Sequence, residues 1–264
     1  MMLLEKKNAI IYGAGGAVGG AIARAFAREG ARVFLAGRTR ASLDAVAQEI
    51  AAEGFEVETA QVDALDEQAI ETHADAVVRG AGGIDVSVNA IRIAEPGIYG
   101  IPVAELSLER FTLPVTAYLR SHFLTTRAAA RRMIEKRSGV IVTITGMPAR
   151  MAAPGTGGVG VAWAGIEALT RGLAAELGPL GIRAVCLRSN AIPETTVIRE
   201  AYSHRARATG QTREEVQAAV ESTTLLLRLP TLTELASVAT FLASDQARSM
   251  TATVANLSCG LLAD

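Results

Sequence analysis

Cysteine, histidine and net charge are all scarce in this chain, and each shortage excludes a class of protein. The only cysteines are Cys186 and Cys259, and without a CxxC spacing they predict neither a disulfide framework nor a zinc site. The three histidines lie far apart in the sequence, so no pair of metal ligands is expected. A formal net charge of −1 leaves no basic excess for nucleic acid or a membrane surface. We therefore expect no metal, no nucleic-acid partner and no membrane partner.

Long uncharged runs are also missing. The longest, residues 151–166, contains five glycines and is too short to span a bilayer. Charged residues precede the first apolar run, so we expect no signal peptide and a cytoplasmic location. With 264 residues, half of them hydrophobic, the chain is long enough to bury the core of one large α/β domain.

Residues 8–28 contain the clearest local motif. A short apolar run enters the glycine-rich turn 13–19, and a run of good helix formers follows it. A strand, a glycine turn and a helix in this order predict a phosphate site, because small residues let the backbone approach a pyrophosphate and the helix start offers unpaired N–H groups. A glycine-rich turn that merely joins two packed elements is the alternative.

Runs typical of strands alternate with runs typical of helices along the whole chain. We predict strands at 9–12, 32–36, 56–62, 85–89, 140–145, 183–187 and 253–257, and helices at 18–28, 41–53, 67–79, 113–136, 162–177 and 232–243. Such alternation predicts parallel strands with helical crossovers, hence a doubly wound α/β sheet with helices on both faces. Neither a linker nor a repeat is visible, so we expect residues 1–264 to form one domain.

The span 193–229 is polar and interrupted, and it follows the sixth predicted strand. An insertion at the carboxyl edge of such a sheet is where a substrate lid would lie. Thr212 and Thr231 are each followed three residues later by glutamate, which predicts a capping box at the start of a helix.

Five stretches, in the right order, resemble the short-chain dehydrogenase/reductase family. They are the turn 13–19, the triplet 62–64, the strand end 84–90, the segment 164–183 and the C-terminal segment 241–260. The resemblance implies a Rossmann-like seven-stranded sheet of order 3-2-1-4-5-6-7 and a nicotinamide dinucleotide cofactor. It also implies the cofactor-binding residues, which are Gly13, Gly15, Gly16, Ala17, Val18, Gly19, Asp63, Ala64, Asn89 and Ala90.

The end of the second predicted strand favours NADP(H) over NAD(H). An NAD site needs an acidic side chain there for the ribose hydroxyls, but no acid occurs before Asp44. Arg38 lies at that point instead, and its planar guanidinium could pair with a 2′-phosphate. A solvated arginine in a surface turn is the alternative interpretation.

The family's usual Asn-Ser-Tyr-Lys tetrad is absent from the matching positions. Aligned on the flanking motifs, these positions hold Tyr118, Gly146, Val159 and Trp163. No lysine occurs after Lys136, so a Tyr-x-x-x-Lys pair exists in no register. A phenol with a pKa of about 10 needs such help to exchange protons near neutrality. Val159 and Trp163 are one helical turn apart and predict an apolar wall, unless Trp163 is simply a core side chain.

Three side chains are weak candidates for the missing chemistry. Tyr118 and His122 are four residues apart on a predicted helix and are candidates for an acid–base pair. A tyrosine and a histidine on a long helix are, however, more often packing or subunit-interface residues. Thr145 is a candidate donor to a substrate oxygen. Further candidates from loops at the ligand edge or in the presumed lid are Arg92, Arg150, Tyr202 and His204.

Three functions remain open. The first is an atypical NADP(H)-dependent oxidoreductase acting on a small carbonyl, alcohol or activated alkene with a non-standard proton donor. The second is a non-redox lyase or isomerase in the same pocket, and the third is a catalytically silent nucleotide-binding or scaffolding subunit. The resemblance also implies a homodimer or homotetramer formed through the helices 113–136 and 162–177.

Overall fold

The computed structural model describes residues 2–93 and 99–263, and these form a doubly wound α/β sandwich. In chain order the elements are β1 Asn8–Tyr12, α1 Ala17–Arg28, β2 Arg32–Gly37, α2 Arg40–Ala52, β3 Val57–Gln61, α3 Glu67–Ala81, β4 Val86–Asn89, α4 Leu108–Lys136, β5 Gly139–Gly146, α5 Gly158–Leu177, β6 Ile182–Ser189, α6 Thr196–Thr209, α7 Arg213–Glu221, α8 Leu232–Ala243 and β7 Val254–Leu257. All seven strands pair in parallel in the order β3-β2-β1-β4-β5-β6-β7, which confirms the expected sheet.

Two hydrophobic cores lie on opposite faces of the sheet. Alternate residues of β1 show the division: Ile11 packs with α1, α2 and α8, whereas Ile10 packs with α3, α4 and α5. Because helices cover both faces, the central strands are apolar at nearly every position. This is why their positions were predictable to within one or two residues.

The two long helices α4 and α5 begin earlier than predicted. Ser107 caps α4 by accepting a hydrogen bond from the Arg110 N–H at 3.3 Å, and Pro114 lies inside the helix. The predicted start at residue 113 therefore lies five residues late. α5 begins at Gly158, where an added Cβ would lie 2.0 Å from the carbonyl oxygen of Phe111 on α4. The glycines that weaken the helical pattern here permit close contact between α4 and α5.

The segment between β6 and α8 contains two helices, α6 and α7, with a small core of their own. Its buried members are Tyr202, Ala206, Val216 and Leu229. The capping boxes predicted at Thr212 and Thr231 are confirmed, since each threonine accepts from a backbone N–H and each partner glutamate accepts in return. Within the described part of the chain, no helix is long and apolar enough to cross a membrane.

Candidate functional site

The glycine turn between β1 and α1 is packed too tightly for larger residues at two positions. Gly13 has φ +79°, and a Cβ added there would lie 2.4 Å from the carbonyl oxygen of Ala90. A Cβ at Gly19 would lie 2.4 Å from the carbonyl oxygen of Gly13. Among the described residues no side chain caps α1, and its first turn has no acidic residue. The turn therefore presents an uncapped, unopposed helix N-terminus, as an anion site requires.

Ala17 departs from the family's glycine spacing without disturbing the turn. It is the first residue of α1 and is exposed, so its methyl group has room. Gly15 lies against α2, where an added Cβ would meet the Ser42 hydroxyl at 2.5 Å. The turn is thus held by contacts with α2 and with the end of β4.

A cleft opens beside this turn at the carboxyl edge of the sheet. Its lining brings together Gly13, Arg38, Asp63 and Ala64, four of the predicted cofactor residues, with Arg92. The carboxyl edge near the strand-order reversal is where ligands bind in doubly wound folds. These four predicted residues therefore line one cleft, although they come from three separate stretches of sequence.

Arg38 is exposed and forms no ion pair with any described residue. Its neighbour Arg40 pairs with Asp44 at 2.9 Å. The Arg38 carbonyl oxygen accepts a hydrogen bond from Gln61 Nε2 at 2.9 Å, so the backbone at this point is held while the guanidinium stays uncommitted.

Asn89 ends β4 underneath the turn and is buried. Its Nδ2 donates to the Thr125 hydroxyl on α4 at 2.5 Å, whereas its Oδ1 has no hydrogen-bond partner among the described residues. Buried polar atoms are normally paired, so this oxygen is an acceptor still available to a ligand or water. Ala90 follows with its N–H bonded to the Tyr12 carbonyl oxygen at 3.0 Å.

An apolar cluster holds the residues at which the resemblance implies the reaction, and it adjoins the cleft through Ile93. Tyr118, Val159, Ala162 and Ile166 are buried together, and Trp163 packs against them. The rings of Tyr118 and Trp163 meet nearly edge to face, with centroids 6.2 Å apart. The predicted apolar and aromatic wall is therefore present as a packed unit.

Gly146 and Trp163 are sterically complementary. A Cβ added at Gly146 would lie 2.5 Å from Cζ3 of Trp163 and within 3.1 Å of two further ring carbons. The indole thus fills the space that any side chain at position 146 would occupy. Sequence reasoning noted both residues but missed that they exclude larger partners at each other's positions.

Tyr118 and His122 lie close together, but they are not joined side chain to side chain. The His122 Nδ1–H donates to the Tyr118 carbonyl oxygen at 2.9 Å, and the Tyr118 hydroxyl oxygen accepts from the Ile93 N–H at 3.3 Å. Burial lowers the pKa of His122 to about 4, with the bond to the Tyr118 carbonyl opposing it. Burial also raises the pKa of Tyr118, opposed by the Ile93 hydrogen bond and the Arg92 charge. Near neutral pH both side chains are uncharged.

Thr145 has partners that the sequence did not indicate. Its hydroxyl donates to Glu167 Oε1 at 3.1 Å and lies 3.3 Å from the Cys186 sulfur. The Glu167 carboxylate in turn accepts from Arg188 Nη1, with 3.2 Å to each oxygen. Thr145 is buried, so its proton is directed into this network rather than toward the cleft. The signal that could have found the network is Glu167 itself, a charge on the same helical stripe as Val159 and Trp163.

The loop candidates lie apart from this centre, with one exception. Arg92 lines the cleft, whereas the Arg150 side chain is exposed. Tyr202 is buried in the small core between α6 and α7, and His204 is exposed on α6. Tyr202 thus packs within the segment between β6 and α8 and does not extend into the cleft.

The buried His122 predicts a loss of stability on acidification. The unfolded chain binds a proton near pH 6.5 but the folded chain only near pH 4, so stability is full above 6.5 and falls below it. From pH 7 to pH 5 the expected loss from this group is about 2 kcal/mol. Urea denaturation at both pH values measures it, and His122→Gln should flatten the dependence. An equally steep dependence in the variant would assign the effect to other groups, His73 first, because burial also lowers its pKa to about 4.

Comparison with known proteins places this geometry in a family. A family model described as Enoyl-(Acyl carrier protein) reductase matches residues 13–261. An uncharacterised oxidoreductase of Bacillus subtilis (strain 168) is 30% identical over 98% of this chain and 92% of its own length. The L-rhamnose 1-dehydrogenase (NAD(P)(+)) of Azotobacter vinelandii is 32% identical over 95% of this chain and 94% of its own length.

Solved structures agree with these matches. Actinorhodin polyketide ketoreductase, in a crystal structure with NADPH, has a TM-score of 0.88 at 26% identity and covers 97% of both chains. The relatives are oxidoreductases, and the match extends from the glycine turn to the C-terminal segment. The chain belongs to the short-chain dehydrogenase/reductase family.

Proposed function

We propose that this protein is an NADP(H)-dependent oxidoreductase that reduces a small carbonyl compound or activated alkene, with Tyr118 as the proton donor. The observation that supports it most directly is the cleft where the glycine turn, Arg38 and Asp63 meet. Bound NADPH would supply a hydride to the substrate carbon. The residues that fit its adenosine and pyrophosphate half are the glycines of the turn, Arg38 and Asp63, with Asn89 beneath them.

Tyr118 suits the role of acid better than that of base. Its hydroxyl oxygen accepts from the Ile93 N–H, which leaves its own proton free to pass to a substrate oxygen. Burial raises its pKa, and at the position of the usual lysine stands Trp163, which cannot lower it. A phenol that holds its proton donates in the reductive direction, whereas alcohol oxidation would need the phenolate. We therefore propose reduction as the favoured direction and a departure from the family's usual tetrad.

His122 is less suited to proton transfer than Tyr118. It is uncharged near neutral pH and its Nδ1–H is committed to a backbone carbonyl oxygen. Its Nε2 is buried with no partner among the described residues, so it can accept but not give a proton. We propose that it supports the Tyr118 turn of α4.

Cofactor preference gives the direct test. We expect NADPH to bind more tightly than NADH, because the uncommitted Arg38 can form charge-assisted hydrogen bonds to the 2′-phosphate. Arg38→Ala should weaken NADPH binding about tenfold and leave NADH binding nearly unchanged. Trp163 is the only tryptophan, so its fluorescence can follow the titration.

Arg40→Ala is the matched control, because Arg40 is exposed nearby but paired with Asp44. Equal losses of NADPH affinity in Arg38→Ala and Arg40→Ala would mean that the effect of Arg38 comes from its positive charge alone and not from hydrogen bonds to the 2′-phosphate. Failure of all four nicotinamide dinucleotides to bind would contradict the proposed function.

One observation favours a second candidate. Trp163 packs against Gly146 at the predicted position of the lysine that bonds the nicotinamide ribose in the family, so the indole would take space from that half of the cofactor. A lyase or isomerase acting in this apolar pocket, or a silent nucleotide-binding subunit, would have no need of that space. Conversion of a substrate with no change in NADPH absorbance would support the non-redox enzyme.

We also propose that copies of the chain associate through α4 and α5. Leu113 and Phe123 on α4 and Val161 on α5 are large apolar side chains with 41 to 52% exposure. Sedimentation velocity is the direct test. The segment 193–229, with its own small core, remains our proposed substrate lid.

A further inference from the structure

A network of buried charged and polar side chains lies next to the apolar wall of Tyr118, Val159 and Trp163. This wall is the part of the site where we propose the reaction, and we call it the reacting end. Arg188 on β6 and Glu167 on α5 form an ion pair whose side chains are only 1% and 8% exposed. Thr145 on β5 joins it by donating to Glu167. In the sheet register Thr145 stands directly beside Arg188, and Gly146 beside Ser189. The network therefore ties α5 to the carboxyl ends of β5 and β6 together.

A buried ion pair is a poor device for stability alone. Taking two charges out of water costs several kcal/mol per ion, and apolar replacements of similar volume are often neutral or stabilising. Its use where α5 meets the carboxyl ends of β5 and β6 points to a role in selecting one geometry.

The geometry concerned is that of the neighbouring turn of α5, which carries Trp163. Glu167 follows Trp163 by four residues on α5, so the two side chains lie on the same stripe of the helix. Thr145 directly precedes Gly146, the residue whose Cα faces the indole ring. The hydrogen bond from Thr145 to Glu167 thus fixes the rotation of α5 against β5 at the turn next to the Trp163–Gly146 contact.

We propose that Glu167 and Arg188, with Thr145, are positioning residues that hold the Trp163 indole against Gly146. They thereby set the shape of the apolar wall at the reacting end. The positioning itself requires no cofactor, and only its consequence for catalysis rests on the proposed function. In that function the wall places the substrate carbon beside the Tyr118 hydroxyl.

The single tryptophan makes the proposal measurable without nucleotide or substrate. Arg188→Met and Glu167→Gln each break the ion pair, so the helical turn of α5 that carries Trp163 should open locally. We expect a red shift of Trp163 emission and an increase in acrylamide quenching of about twofold. Each variant also removes one partner of a buried charged side chain, so lower melting temperatures are expected.

A double variant separates positioning from stability. Glu167→Met with Arg188→Met removes both charges and should recover the melting temperature, while the altered Trp163 emission persists because the link to Thr145 is lost. A double variant that is stable and has wild-type emission and quenching would overturn the proposal. Thr145→Val supplies a milder variant that removes one hydrogen bond and leaves the ion pair intact, and it should change the emission in the same direction.

The control lies on the same two elements. Thr143 on β5 and Thr170 on α5 share a buried hydrogen bond of 2.8 Å, three residues farther along the helix from Glu167. Thr170→Val breaks this α5–β5 contact and should leave Trp163 emission unchanged. Equal changes in Thr170→Val and Thr145→Val would mean that any loss between α5 and β5 moves the indole, which would also overturn the proposal. Absence of nucleotide binding would leave these results unaffected and would count only against the proposed function.

Discussion

Tyr118→Phe is expected to lower kcat/KM for NADPH-dependent reduction by about 100-fold or more, because positioned general acids contribute about 10²- to 10⁴-fold. The substitution removes one oxygen atom and leaves the ring in contact with Trp163. NADPH affinity should change little, since Tyr118 belongs to the reacting end and the glycine turn to the other. The measurement is the initial rate of NADPH consumption with a panel of small carbonyl compounds and activated alkenes.

Tyr202→Phe is the matched control for this substitution. Like Tyr118, Tyr202 is a buried tyrosine, and burial raises its pKa to about 12. Unlike that of Tyr118, its hydroxyl has no hydrogen-bond partner among the described residues. Tyr202 lies between α6 and α7, away from the apolar wall, so removal of its hydroxyl should leave the rate of NADPH consumption unchanged. A Tyr118→Phe enzyme with the wild-type rate would remove Tyr118 from the mechanism, whatever the cofactor titration gives.

The pH profile adds an independent check on the same residue. Because burial raises the pKa of Tyr118, the protonated donor persists well above neutrality. Reduction should therefore not lose activity between pH 7 and pH 9 through this group, while the reverse oxidation should be slow throughout that range. A family member with a lysine-assisted tyrosine would have more phenolate at the same pH.

The fold was predictable because burial on both faces of the sheet leaves a simple pattern. β1 and β4 are short apolar runs bounded by polar or glycine-rich segments, and the structure places them as predicted to within one residue. The helix starts were harder. α4 begins five residues before its predicted start at 113, and Pro114 lies inside it. The glycines around Gly158 weaken the helical pattern in the first turn of α5, where they permit close contact with α4.

The candidate site likewise has one part that could be predicted from the sequence and one part that could not. The cofactor turn depends on local sequence order, so Gly13, Arg38 and Asp63 could be named before their shared cleft was seen. The Thr145–Glu167–Arg188 network depends on contacts among three separated elements. Nothing in the local sequence around Arg188 shows that its side chain turns into the interior beside Thr145. Pairing across a sheet and a helix is set by register, which single-sequence patterns do not specify.

The contact of Gly146 with Trp163 leads to the largest expected effect on stability. Gly146→Ala should lower the free energy of unfolding by about 1–3 kcal/mol, since the new methyl group would overlap the indole ring and force it to move. In a Trp163→Ala background the same substitution should cost almost nothing, because the ring that it meets is gone. Urea denaturation of the four proteins in this cycle measures the coupling between the two positions.

Gly172→Ala is the control for replacing a glycine as such. Gly172 lies on α5, and an added Cβ there would meet nothing within 4 Å. Alanine should therefore stabilise the helix by about 0.5–1 kcal/mol, the reverse of its effect at position 146. If Gly146→Ala lowered the free energy of unfolding by the same amount in the Trp163→Ala background, the need for glycine at position 146 would come from backbone conformation and not from the indole. If the cost vanishes, a larger side chain at position 146 requires the removal of Trp163 at the same time. The residues at these two predicted tetrad positions would then be linked by sterics.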